Sequence, residues 1–389
     1  MRRLWVILLL LPLGSPLSLA QGTLVIRMAI TGAQLAAANA TPDPTRASPG
    51  RLGVTADGKL LLSDFSDQAN NEIFIVDVSV NPPVFTKVTD TATLKQKVDN
   101  ENGPDPAPTV MTPQTLDVDR DGHVIILTDG ADPEVAYLFH VDQTATPPVV
   151  RLVAGLDRPF LPLSPASSIE GNRSMAVIGY TAYITLNDRF NAVNGDSIVK
   201  IDVHSPDGGK TAATELVSQS QLEAVVGVGQ DIDLNDIAVR PAKGTLVVIN
   251  SGRAQSNDDL LEIDPQTGAV SVLVAATDIE ADLGTTDVGY SGIDIGPNDI
   301  IYLANAFGTS GQAANRGIIA VANAGGGRGD ATLFASQADI IAHSSVRTIS
   351  GAPITSLSYQ NAGLAVSPTT GEVFFVERNT AGVIGLRRE

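Results

Sequence analysis

The chain has 389 residues, of which 43% are apolar, a net charge of −18, a pI near 4.5 and no cysteine. So acidic a balance argues against a nucleic-acid partner, because phosphate backbones attract basic surfaces. The lack of cysteine excludes a disulfide framework, so stability has to come from a large core.

The chain begins MRRLWVILLLLPLGSPLSLA, with Arg2 and Arg3 ahead of the apolar run Leu4 to Leu13, then Ser18-Leu19-Ala20. That order of charge, apolar run and small residues is a secretory signal peptide. Residues 1–20 are therefore expected to be removed, leaving 21–389 as a single domain that is secreted or periplasmic. No later stretch is long and apolar enough to span a membrane, so no membrane span is expected in the mature protein.

Six segments then share one plan: a short apolar strand, a tight turn, a strongly apolar strand ending in a polar residue, a variable loop, and another apolar strand. In order they are RLGVTADGKLLLSD, TLDVDRDGHVIILTD, SMAVIGYTAYITLN, DIAVRPAKGTLVVIN, GIDIGPNDIIYLAN and GLAVSPTTGEVFFVE. Their anchor residues are Leu52, Leu116, Met175, Ile237, Ile293 and Leu364, each 12 or 13 residues before the terminal polar residue. Recurrence at a period of about 62 residues marks a repeat architecture. Short strands with turn signals at this spacing predict an all-β, six-bladed β-propeller of four-stranded antiparallel blades. The second strands (LLL, VIIL, YITL, LVVI, IIYL, VFFV) lack polar alternation, as expected of strands covered on both faces.

A fourth, outer strand follows five copies: PVFTKVT, PVVRLVA, TAATELV, AVSVLVA and ATLFA. The sixth copy has none. The stretch GTLVIRMAI, residues 22–30, is expected to fill its place, closing the ring and covering sheet edges that invite aggregation. The plan resembles NHL-repeat and regucalcin/gluconolactonase-type propellers over nearly the whole mature chain. The motifs that carry this resemblance are a strand, a DG-like turn, and a strand ending in Asp or Asn.

Candidate site residues follow from this layout. The second turn, DVDRDGHVIIL at 117–127, holds Asp117, Asp119 and Asp121, which read either as a tight Asp-Gly hairpin or as a calcium loop. A helix-flanked calcium loop needs a bidentate carboxylate at its twelfth position, which here is Thr128. The strand-end residues Asp64, Asp129, Asn187, Asn250, Asn305 and Glu377 are all oxygen donors. They suit a hard cation such as calcium, or else bond the backbone of the following loop. The resemblance to the regucalcin family implies a central divalent metal held by Glu, Asn and Asp. It points to Asn235 in NDIAVRP, with Asp236 beside it, while the equivalent positions elsewhere are Gly50, Gln114, Arg173, Ser291 and Ala362. No carboxylate stands among those equivalents.

Four histidines (His123, His140, His204, His343) show no metal-ligand spacing, and there is no nucleophile elbow or phosphate loop. The long connections entering each first strand, such as 91–113 and 338–360, define an elaborated face where ligands are expected. The expected function is a scaffold binding an unknown small molecule or extracellular protein through that face. The alternative is a calcium-dependent lactonase or esterase.

Overall fold

The computed structural model describes residues 22–39, 48–64, 71–102, 111–130, 136–155, 174–186, 196–208, 211–227, 232–251, 258–286, 288–305, 316–348 and 350–389. The expected signal peptide, Asn187 and Arg173 lie outside the described residues.

The first strand, β1 (Leu24–Ile30), leaves the other strands to form consecutive antiparallel blades. Blade one is β2 (Pro49–Val54), β3 (Leu60–Asp64), β4 (Glu72–Asp77) and β5 (Val84–Asp90). Blade two is β6 (Met111–Val118), β7 (Val124–Gly130), β8 (Ala136–Asp142) and β9 (Val149–Gly155). Blade three is β10 (Met175–Ile178), β11 (Thr181–Leu186), β12 (Ser197–Asp202) and β13 (Thr214–Val217). Blade four is β14 (Leu234–Arg240), β15 (Thr245–Asn250), β16 (Leu260–Ile263) and β17 (Val270–Val274). Blade five is β18 (Tyr290–Ile295), β19 (Ile301–Asn305), β20 (Gly317–Gly325) and β21 (Arg328–Ser336). Blade six is β22 (Tyr359–Val366), β23 (Val373–Glu377) and β24 (Gly382–Arg388), and β1 is its outer strand.

Closure follows the expected route. Leu24 pairs with Arg388 and Ile30 with Val383, and Thr23 and Glu389 exchange backbone hydrogen bonds of 3.0 and 3.1 Å. The innermost strands β2, β6, β10, β14, β18 and β22 each touch the next, and β22 touches β2. The ring is complete.

The core is divided among the spaces between blades. On β7, Ile125 and Leu127 face blade three, while Val124 and Ile126 face blade one. On β3, Leu60 and Leu62 pack toward blade six and Leu61 toward blade two. A second strand with apolar neighbours on both faces has no solvent side to fill with polar residues, which explains its unbroken apolar run.

The connections between blades differ from the expected loops, because helices occupy them. These are α1 (Gly32–Ala38), α2 (Thr91–Asn102), α3 (Gln219–Val226), α4 (Ala276–Leu283) and α5 (Gln337–Ala342), each directly after an outer strand. Capping boxes start three of them: Thr31 with Gln34, Ser218 with Gln221, and Ser336 with Asp339. Such a pair satisfies two helix-end N–H groups reciprocally. Each helix then buries at least one apolar side chain, such as Leu222 of α3 and Ile340 of α5, and α2 buries Leu94 and Val98, one turn apart. All five stand on the elaborated face; the opposite face carries tight turns such as Thr55–Lys59 and Asp119–His123.

Candidate functional site

The innermost strands are sheet edges, so their axis-facing N–H groups have no strand partner and need another acceptor. Three aspartates supply it. Asp117 of β6 accepts from its neighbour Val118 N–H (2.7 Å) and, across to blade three, from Val177 N–H (2.7 Å). Asp294 of β18 accepts from Ile295 N–H (2.7 Å) and, across to blade six, from Val366 N–H (2.6 Å). Asp236 of β14 accepts from Ile237 N–H (2.9 Å), from Ile293 N–H of blade five (3.0 Å), and from the Ser174 hydroxyl of blade three. Each carboxylate thus staples one blade to the next. Burial pushes Asp117 and Asp294 up to about 7 and Asp236 up to about 6, the hydrogen bonds offsetting only part of the desolvation.

These three side chains line a cavity of ≈ 290 Å³ in the channel, otherwise walled by apolar residues such as Val118, Val177, Ile295 and Val366. Blade one has Gly53 where blades two and five have Asp117 and Asp294. A Cβ there would stand 2.5 Å from the Leu116 carbonyl oxygen, so the backbones approach too closely for any side chain. Both Asp117 and Asp294 follow their blade's anchor residue (LDV, IDI), but a lone Asp in a strand carries no motif, and Asp294 is not among the sequence candidates.

The strand-end oxygen donors are turned to backbone. Asp64 accepts from Ser48 N–H (2.9 Å), Asn250 from Asp233 N–H (3.0 Å) and Asn305 from Gly289 N–H (3.0 Å). Glu377 accepts from Ser358 N–H (2.8 Å) and Thr380 N–H (2.6 Å). Each ties a second strand to the segment entering its own blade. Asp129 falls in β7, and its side chain lies outside the described residues. Asn235 gives its amide to the Tyr290 carbonyl of blade five at 3.3 Å, whereas Asp236 lines the channel cavity between blades three and five.

The three turn aspartates go separate ways. Alternation along β6 sends Asp117 into the channel, so it is no part of the turn. Asp119 closes the hairpin: its Oδ1 accepts from Asp121 N–H and His123 N–H, both at 2.9 Å, with Gly122 at φ +83°. Asp121 accepts from the Tyr180 hydroxyl at 3.1 and 3.0 Å. The other oxygen of Asp119, Oδ2, faces three histidines that no sequence spacing connects. His140 Nε2 is 3.0 Å away, His204 Nε2 3.3 Å and His123 Nδ1 3.4 Å. Burial opposes ionisation of Asp119, but its hydrogen bonds from His123 N–H and His140 hold it below the usual carboxylate range. Histidines 17 and 64 residues apart meet because β8 runs beside β7 and the β12–β13 connection lies on the neighbouring blade's same face.

No protein-family model matches the chain, and no curated protein matches its sequence. Solved structures do match its shape. An α-L-arabinanase from Penicillium chrysogenum, complexed with arabinobiose, aligns at TM-score 0.52 and 11% identity, covering 94% of this chain and 98% of that one. The PQQ domain of pyranose dehydrogenase from Coprinopsis cinerea aligns at TM-score 0.51 and 11% identity, covering 95% and 98%. A putative oxidoreductase (glucose dehydrogenase) from Thermus thermophilus aligns at 0.50 and 11%, covering 94% and 100%. The chain is a six-bladed β-propeller. At this identity the likeness extends to the fold and to nothing finer, since propellers host unrelated activities.

Proposed function

We propose that this propeller is an extracytoplasmic scaffold that binds a ligand or partner through the face bearing its helices and long connections. The observation that carries this reading is the engagement of the channel-side oxygens. Asn250, Asn305, Glu377 and Asp236 each accept hydrogen bonds from backbone N–H groups, as does Asp64 through Oδ1, and Asn235 turns its amide NH2 to the Tyr290 carbonyl. A central hard-cation centre would need several of these oxygens aimed at one point instead. Extracytoplasmic placement rests on the N-terminal signal pattern. Among the described residues no helix is long and apolar enough to cross a membrane.

The test uses the mature protein with and without calcium, read by elemental analysis, by thermal melting and by hydrolysis of lactones. The scaffold reading expects no retained calcium and no calcium-dependent turnover. Stoichiometric calcium lost on Asn235→Ala, together with lactone hydrolysis, would replace it with a metal-dependent hydrolase.

A further inference from the structure

We propose that Asp119, His123, His140 and His204 bind one divalent transition-metal ion, with zinc the best match, as a clip between blades two and three. The chain has four histidines in 389 residues, and three of them converge on one carboxylate oxygen from separate segments. The candidate ligand atoms all lie within 4.8 Å of one another.

The three edges that meet at the carboxylate fit a tetrahedral ion, and the imidazole nitrogens lie within 4.8 Å of one another. Zinc bonds of about 2.0–2.1 Å to nitrogen and oxygen set the edge of the tetrahedron at about 3.3–3.4 Å. Three edges meet at Asp119 Oδ2, and they measure 3.0, 3.3 and 3.4 Å. Hydrogen bonding alone accounts poorly for the same crowd. One oxygen has too few lone pairs to take three imidazole donors well. His123 Nδ1, buried and directed at the cluster, has no hydrogen-bond partner. A cation among the four atoms would accept every lone pair at once.

The ligands are held from behind, as metal ligands generally are. Asp119 Oδ1 is fixed by two backbone N–H groups. His123 Nε2 lies 3.5 Å from Asp142 Oδ1. The Tyr180 ring lies 4.0 Å from that of His204, with its hydroxyl on Asp121. His140 differs, its Nδ1 facing buried surroundings with no partner. Three nitrogens and one oxygen suit zinc, nickel, cobalt or copper, whereas calcium and magnesium prefer sets of six or more oxygens. Four protein ligands leave no open position, which marks a structural rather than a catalytic site. Asp119, His123 and His140 belong to blade two and His204 to blade three. The ion would therefore add a cross-blade tie to the bond from Arg120 N–H to the Gly179 carbonyl (2.9 Å).

The experiment uses the mature chain without a histidine tag, stripped by chelator and then titrated with zinc chloride. Elemental analysis, calorimetry and thermal melting provide the readouts, and circular dichroism confirms folding of each variant. The expectation is one zinc per chain, a higher melting temperature with zinc but not with calcium or magnesium, and a four-coordinate visible spectrum for the cobalt-loaded protein. His204→Ala and His123→Ala, which change partly exposed side chains, should each weaken zinc binding at least about tenfold, in line with the loss of a ligand contact. His343→Ala, outside the cluster, should leave it unchanged. Zinc uptake by the wild type no greater than that of a folded His123→Ala/His204→Ala variant would overturn the proposal, as would equal stabilisation by calcium.

Discussion

Replacing Asp294 by Asn tests the staple between blades five and six. The carboxylate accepts Ile295 N–H on one oxygen and Val366 N–H on the other. Asn keeps one acceptor and turns an NH2 donor toward the second N–H, which leaves a buried donor unpaired at a cost of about 1–3 kcal/mol. The pH dependence is more diagnostic than that cost. Burial raises the Asp294 pKa from 3.8 to about 7, so between those values the folded protein binds more protons than the unfolded one. The contribution is fully present below 3.8 and is lost as pH rises toward 7, with a slope of up to about 1.4 kcal/mol per pH unit. Asn cannot ionise and lacks this slope. The variant should therefore be the less stable protein near pH 4, and the gap should close between about pH 5 and 6 and then reverse. Urea unfolding followed by circular dichroism from pH 4 to 8 measures it, and the difference between the two curves cancels the carboxylates that do not couple to Asp294, leaving its neighbours Asp117 and Asp236. Parallel curves would refute the claim that Asp294 resists ionisation in the folded ring.

Two further perturbations probe the closure and the ion pairs of the buried Arg240. Deleting residues 22–30 uncovers the edge of β24 and the apolar side chains that Ile26 and Ile30 cover. The shortened protein should form soluble aggregates on size exclusion, and a monomer with unchanged melting would contradict the closure. Arg240, 2% exposed, holds Asp299 at 2.7 and 2.6 Å and Glu262 at 3.0 Å. Arg240→Met should cost about 3 kcal/mol, near the low end for a broken buried pair because both acids reach solvent. A shift in urea midpoint worth less than about 0.5 kcal/mol, the level of an ordinary surface change, would count against it.

The helices show where linear reading stops short. Thr31 with Gln34 and Ser336 with Asp339 cap helices where the repeat plan expects loops, and these helices are short and alone would be marginal in water. Packing against the outer strands is what makes them stable. The strand-end residues show the opposite balance. Their identity and spacing marked every blade, and four of them, Asp64, Asn250, Asn305 and Glu377, bond the segment entering their own blade.

The sequence by itself determined the number of blades, the antiparallel order within them and the partner of the N-terminal strand. Those depend on local apolar periodicity and on turns, which repeat along the chain. Only the tertiary structure decided that Asp117 points into the channel while Asp119, two residues on, meets His123, His140 and His204. The side of a strand from which a residue projects, and the neighbouring blade it then meets, depend on pairing register and ring closure. Neither leaves a mark in residue spacing.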